Sequence, residues 1–246
     1  MLSALFLFFA VVHIVILVGT LRYLRATRSW VVLMAVLPLL LLWYDCLIIG
    51  LGRFIGPGEL LEMLSLPRYW AHWLLTPFWI MAGAGILRMS GSPFGQPRWV
   101  MVGLAVLTAV MIAIEIPLFF TLELRPVCFM DTVRYAESVS ANALCFPEQE
   151  VVPGSGPPIP PVITNIVLLA VGGIVWYRLR WIWLSLGAAV MWVAAIIPTS
   201  LVGPGVGNFG EIVLALAILA TIRYLHRLKS PDVTEHALDE RSSLAG

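Results

Sequence analysis

Charged residues are scarce in this chain: only 12% of its 246 residues are Asp, Glu, Lys or Arg, whereas 60% are hydrophobic. Soluble domains carry roughly 25% charged residues. This composition and a mean hydropathy of +0.94 exclude an ordinary soluble domain and indicate that lipid surrounds most of the chain. The net charge of +1 provides no strongly basic surface, so we expect no nucleic-acid partner.

Lysine and histidine are also rare. The only lysine, Lys229, follows the last apolar run, so that run has no residue for a retinal Schiff base. The sequence has four histidines and no HExxH zinc motif. A retinal protein is therefore disfavoured, and the motif of HExxH zinc proteases is absent.

Long apolar runs fill most of the sequence. A spanning helix needs about 20 mostly apolar residues, and backbone groups in lipid must bond within the segment, which favours helices. We therefore predict an all-α fold, a polytopic membrane helix bundle of about seven transmembrane helices. The first run lacks a preceding charge and a cleavage site, so it is interpreted as a span and not as a signal peptide. The predicted spans are residues 2–21, 30–51, 69–87, 99–121, 162–178, 181–199 and 209–225.

Basic residues indicate how such a bundle is oriented. If the N-terminus is outside and the C-terminus is cytoplasmic, most of them fall in cytoplasmic segments, as the positive-inside rule requires. The cytoplasmic set is Arg22, Arg25, Arg28, Arg88, Arg98, Arg178, Arg180, Arg223, Arg227, Lys229 and Arg241, and the outer set is Arg53, Arg68, Arg125 and Arg134. We predict a multi-pass protein of the plasma (inner) membrane. Its seven-helix domain covers residues 1–229, and a flexible cytoplasmic tail covers residues 230–246.

The longest polar segment between spans, residues 122–161, contains Cys128 and Cys145. Because this loop lies on the oxidising side in the predicted orientation, a disulfide is expected; two free thiols are the alternative. The stretch between the cysteines has few helix breakers and is predicted to form a short helix. The Pro/Gly-rich stretch at 153–161 is predicted to be a stiff extended connector. Cys46 is interpreted as a small core residue.

Six polar residues fall at one depth, toward the outer face, when each is counted along its span. A charge in mid-membrane costs about 2.5–3.5 kcal/mol on insertion scales, so such groups usually face a bundle interior or a cavity. We expect a polar pocket there. Each residue also has a simpler interpretation, such as an ion pair, an interfacial side chain or a helix-dipole contact. The six are Asp45, His72, Glu115, Asn165, Asn208 and Glu211.

The connector between the second and third spans brings two arginines to this level. Glycines at 50, 52, 56 and 58 let the chain leave the membrane sharply, and residues 59–66 are predicted to form a short interfacial helix. Pro67 suits the first turn of the next helix. Arg68 and His72 are four residues apart and share a helix face. The simpler interpretation of Asp45 is that it caps a neighbouring helix or pairs with Arg53 or Arg68 to hold the fold.

Three functions are compatible with such a pocket. The first is a membrane-embedded enzyme acting on a lipid or amphiphile, with Asp45, His72 and Glu115 as catalytic acid, base and partner. Substrate contacts would come from Arg53, Arg68, Asn165, Asn208 and Glu211. A variant of this hypothesis has a divalent metal held by carboxylates and imidazole.

The second function is binding or transport of a small molecule or ion, and the third is an accessory subunit of a membrane complex. The expected partners are membrane lipid and a small-molecule or lipid ligand. The sequence sets no oligomeric state.

Overall fold

The structure, a computed structural model, describes residues 1–154, 159–197, 203 and 205–229. It is mostly helical, at 74%. Numbered in chain order, the helices are α1 (Leu2–Thr27), α2 (Trp30–Ile55), α3 (Glu59–Leu75), α4 (Phe78–Met89), α5 (Arg98–Ala113), α6 (Leu118–Thr121), α7 (Ile159–Leu179), α8 (Trp183–Ile196) and α9 (Gly205–Leu228). A 3₁₀ turn covers Pro93–Gly95, and two strands, β1 (Arg125–Phe129) and β2 (Thr132–Ala136), lie between α6 and α7.

Among the described residues, five helical segments are long and apolar enough to cross a membrane: Leu2–Thr27, Trp30–Ile55, Arg98–Thr121, Ile159–Leu179 and Gly205–Leu228. Helix α8 is apolar and shorter, at 14 residues. These helices make the chain compatible with an integral membrane protein. The predicted tail at 230–246 lies outside the described residues. So do most of the outer end of the predicted sixth span and the centre of the connector at 153–161.

Contacts between helix termini define two ends of the bundle. At one end, the Tyr23 hydroxyl lies 2.6 Å from Nδ1 of His226, and the Trp181 ring stacks on Tyr224 with centroids 4.1 Å apart. The last turns of α1 and α9 and the α7–α8 turn therefore meet, and the end of α4 packs against the start of α2. We call this the basic end. It carries Arg22, Arg25, Arg28, Arg88, Arg98, Arg178, Arg180, Arg223, Arg227 and Lys229.

The third predicted span is divided in the structure. Helix α3 begins at Glu59, runs through Pro67 and ends at Leu75, and α4 begins at Phe78 after Pro77. The predictions of a separate interfacial helix at 59–66 and of a helix start at Pro67 were therefore wrong. Leaving the helix at Pro67 would expose further backbone groups that have no water to bond with in an apolar environment. The break comes instead at Thr76 and Pro77.

Residues 125–136 form an antiparallel hairpin, in which Cys128 faces Val133. The predicted helix between the cysteines was wrong, whereas the predicted helical character of the fold is confirmed. Thr132, Val133 and Tyr135 are β-branched or aromatic residues, which favour strands when they pack on a half-buried surface. The disulfide between Cys128 and Cys145 confirms the predicted pairing.

The hairpin packs against the C-terminal half of α2 and against α3, at what we call the hairpin end. A small apolar cluster there joins Ile48 of α2, Leu61 of α3 and Tyr135 of β2. Arg53 Nη1 donates to Asp131 Oδ2 at 3.1 Å, and the Asp131 carboxylate also accepts from the backbone N–H of Leu2 at 2.7 Å. The hairpin is therefore held to α1, α2 and α3.

Gly52 permits the closest approach in this interface. A Cβ at this position would lie 1.8 Å from the backbone oxygen of Val133, whereas one at Gly103 of α5 would meet nothing within 4 Å. We expect Gly52→Ala to lower the free energy of unfolding by about 1–3 kcal/mol, the usual cost of overpacking. The measurement is thermal denaturation in detergent. Gly103→Ala is the matched control and should not lower the midpoint; equal midpoints for both variants would contradict the packing described.

Candidate functional site

Helices α2, α3 and α9 bring five polar side chains together at the hairpin end. The pair at the centre is Arg68 and Asp45, with Nε of Arg68 donating to Oδ1 of Asp45 at 2.8 Å. The side chain of Arg68 is 5% exposed and that of Asp45 is 17% exposed. Asn208 Nδ2 donates to the second oxygen of Asp45 at 2.9 Å. Both carboxylate oxygens of Asp45 are therefore bonded within the protein.

Glu211 and His72 extend this group. Asn208 Nδ2 also lies 3.3 Å from Oε2 of Glu211, so one amide contacts two carboxyl groups. Nε2 of His72 lies 3.8 Å from Oε1 of Glu211. That distance is longer than a hydrogen bond and is within the range of an ion pair when His72 carries a proton. We call Asp45, Arg68, His72, Asn208 and Glu211 the polar cluster.

Helix geometry explains why α3 and α9 each contribute two neighbouring groups. Arg68 and His72 are four residues apart on α3, and Asn208 and Glu211 are three apart on α9, so each pair lies on one helix face. Asp45 faces both pairs from α2. The pairing resolves the alternative left open by the sequence: Asp45 pairs with Arg68, and Arg53 pairs with Asp131 of the hairpin.

A small cavity adjoins the His72–Glu211 side of the cluster. Its volume is about 30 Å³, which is room for about one or two water molecules. Its walls come from α2, α3, α4, α7, α8 and α9 and include His72, Thr76, Thr164, Asn165 and Glu211. The break between α3 and α4 therefore lies at the cavity, where irregular backbone is tolerated inside a membrane bundle.

Two cavity residues on α7 have polar atoms without a protein partner. Asn165 Nδ2 donates to the backbone oxygen of Ala188 at 3.1 Å, while Asn165 Oδ1 and Thr164 Oγ1 are buried and unpaired. Unpaired buried polar atoms are unusual in proteins. Here they lie on two residues that line the same cavity as Glu211 of α9.

The hairpin contributes a contact that sequence reasoning missed. The backbone oxygen of Tyr135 accepts from Arg68 Nη1 at 3.5 Å and from the Tyr69 hydroxyl at 3.2 Å. Arg134, next in the strand, has a buried Nε without a partner, and this burial lowers the pKa of its guanidinium. Only the observed strand makes the Tyr135 carbonyl available, so no side-chain pattern in the sequence indicates it.

Glu115 and Arg53 lie apart from the polar cluster. Glu115 is buried near the end of α5, and the charge that acts on it is Glu137 of the loop. In the described parts of the chain, no ion pair or hydrogen bond joins Glu115 to Asp45. The three residues predicted as catalytic therefore do not form one group here.

Among the described residues, no group of three His, Cys, Asp or Glu side chains is arranged to hold a metal ion. The divalent-metal hypothesis has no ligand set there. Comparison with protein-family models, curated proteins and solved structures finds no match for this chain.

The Asp45–Arg68 pair should dominate the stability of this region. Removing one partner leaves an uncompensated buried charge, which costs about 3–5 kcal/mol. We expect Asp45→Asn and Arg68→Gln each to lose this much in denaturation in detergent, and the double variant to lose less than the sum.

Arg53→Gln is the matched control for this prediction, because its side chain is 55% exposed and exposed pairs contribute about 0–1 kcal/mol. Additive losses in the double variant, or equal losses for Arg53→Gln and Arg68→Gln, would contradict the geometry.

Proposed function

We propose that this chain is an integral membrane protein that binds a small polar molecule or ion in the cavity beside Glu211 and exchanges a proton with it. It would act as a small-ligand binding or transport protein. The observation that carries this proposal is the position of Glu211 and His72, which line one water-sized cavity inside an apolar bundle.

Charge balance supports the exchange of a proton. Arg68 is paired with Asp45, so Glu211 has no arginine of its own in the cluster, and its basic neighbour is His72. An isolated charge inside a membrane bundle is costly. The Glu211–His72 pair is neutral overall when it holds one proton, whichever residue carries it. A pair of this kind next to a cavity is what proton relays in membrane proteins use.

The size of the cavity favours a small ligand. The cavity volume of about 30 Å³ is far below the roughly 300–1,000 Å³ of sites that enclose drug-sized molecules. A lipid headgroup would need a wider opening than this conformation offers. The helix break at Thr76 and Pro77 provides a place at which α3 and α4 can move relative to each other.

A membrane-embedded enzyme acting on a lipid or amphiphile is the second candidate. It is favoured by the same His72–Glu211 pair, since an imidazole and a carboxyl group facing one cavity are the side chains that general acid–base catalysis uses. In this version Glu211 takes the role that the sequence suggested for Asp45, whose two oxygens are already bonded.

The predicted orientation belongs to this proposal. Seven spans with the N-terminus outside would place the basic end in the cytoplasm and open the polar cluster toward the outer side of the plasma membrane. The positive-inside rule supports this arrangement.

Proton exchange is tested with the full chain reconstituted in liposomes that contain a pH-sensitive dye. Lithium, sodium and potassium ions are added outside as separate probes, since their size suits a cavity with room for one or two waters. We expect at least one probe to change the internal pH with the wild-type protein. Glu211→Gln should abolish this change, because the amide keeps the size of the side chain and removes the exchangeable proton.

Glu59→Gln is the control, since Glu59 is an exposed acid on α3 and should behave as the wild type. The proposal fails if no probe moves protons with the wild-type protein, or if Glu211→Gln responds as the wild type does.

A further inference from the structure

The basic end carries exposed positive charge, and no acidic residue pairs with it among the residues that the structure describes. Its nine arginines and one lysine are all exposed, and none of them forms an ion pair within the described parts of the chain. The acidic residues that the structure describes lie in the second half of α2, in α3, at the end of α5, in the 122–154 loop and in the first turns of α9. All of these positions are toward the hairpin end.

Aromatic side chains lie among these cations. Tyr177 is 82% exposed and Trp183 is 53% exposed, on either side of the α7–α8 turn. Amphipathic rings at this position are typical of the headgroup level of a bilayer. The turn itself is fixed to α9, because Trp181 stacks on Tyr224 and donates from Nε1 to the Thr221 hydroxyl at 3.0 Å.

Two of the arginines occupy backbone positions that favour glycine. Arg28 ends α1 with φ 50° and Arg180 follows α7 with φ 55°. Their N–H groups bond to the backbone oxygens of Leu24 and Trp176. Helices commonly end on a left-handed residue of this kind, and glycine is the usual choice because it adopts that conformation without steric cost. Both helices therefore end on an arginine, although the left-handed backbone conformation at each position would favour glycine.

We propose that the basic end binds the phosphate groups of anionic phospholipids, and that Arg28 and Arg180 are two of its contacts. Basic residues next to a spanning helix attract anionic lipid headgroups, and a guanidinium fork matches phosphate oxygens geometrically. Exposed rings at the same level place these cations in a lipid surface and not in open solvent. This inference is independent of the cavity and of proton exchange.

Arg28 and Arg180 allow a test with variants that should fold normally, because glycine suits the positive φ at both positions. The full chain is reconstituted in phosphatidylcholine bilayers, and its tryptophan fluorescence is quenched with brominated phosphatidylglycerol or brominated phosphatidylcholine. The ratio of the two association constants measures the preference for the anionic lipid. We expect a clear preference in the wild-type protein, and a loss of up to about fivefold for each arginine in Arg28→Gly and Arg180→Gly. The thermal midpoint should not fall, because glycine suits both positions.

Met130→Gly is the matched control. Met130 is the third non-glycine residue with positive φ in the described chain, at 54°, and it lies at the tip of the hairpin, away from the basic end. This variant changes the same backbone property without changing charge, so its lipid preference should equal that of the wild type.

Three results would overturn the proposal: no anionic preference in the wild type, an unchanged preference in the Arg28→Gly and Arg180→Gly double variant, or an equal loss in Met130→Gly. A fourth concerns the source of the phosphate. If inorganic phosphate displaced phosphatidylglycerol more strongly than chloride at equal ionic strength, the site would take a soluble anion and not a lipid headgroup.

Discussion

The ion pair between Arg68 and Asp45 is the interaction on which the hairpin end of this protein depends. A guanidinium and a carboxylate in an apolar bundle are stable only if each satisfies the other and further hydrogen bonds complete the site. Here Asn208 completes the shell of Asp45, and the Tyr135 carbonyl accepts from Arg68. The pair therefore connects α2, α3, α9 and the hairpin, and it sets the positions of the groups that face the cavity.

This pairing also gives two carboxyl groups different roles. Asp45 is held by an arginine and an amide, whereas Glu211 shares only the amide and has a histidine at 3.8 Å. In the proposed function one acid is structural and the other exchanges a proton, although both lie in the same group of side chains. The proposed function follows from this difference, since a fully paired carboxylate would have nothing to offer a ligand.

Apolar runs and their lengths were enough to predict the helical character of the chain, and the loop environment was enough to predict the disulfide. The hairpin could not be predicted from breaker residues alone, because strand formation here depends on packing of Val133 and Tyr135 against α2 and α3. The partner of Asp45 was undecided for the same reason. Arg53 is directed to Asp131, and nothing local to either residue indicates that contact.

Depth along the helices placed Asp45, Asn208 and Glu211 at one level, and the structure has hydrogen bonds between them. The depth of a residue does not say toward which side of its helix the side chain faces. Depth alone therefore could not show that Glu115 lies apart from the polar cluster, near Glu137. Thr76 and Thr164 were not singled out, because a threonine in an apolar helix usually bonds to its own backbone. Their place at the cavity depends on the break between α3 and α4 and on the rotation of α7.

Infrared spectroscopy of the reconstituted protein across a pH titration tests the central claim most directly, since it reports protonation of buried carboxyl groups without a ligand. The account predicts a titrating carboxyl signal in the wild-type protein that is missing from Glu211→Gln. Titrating bands that are identical in the two proteins would contradict it.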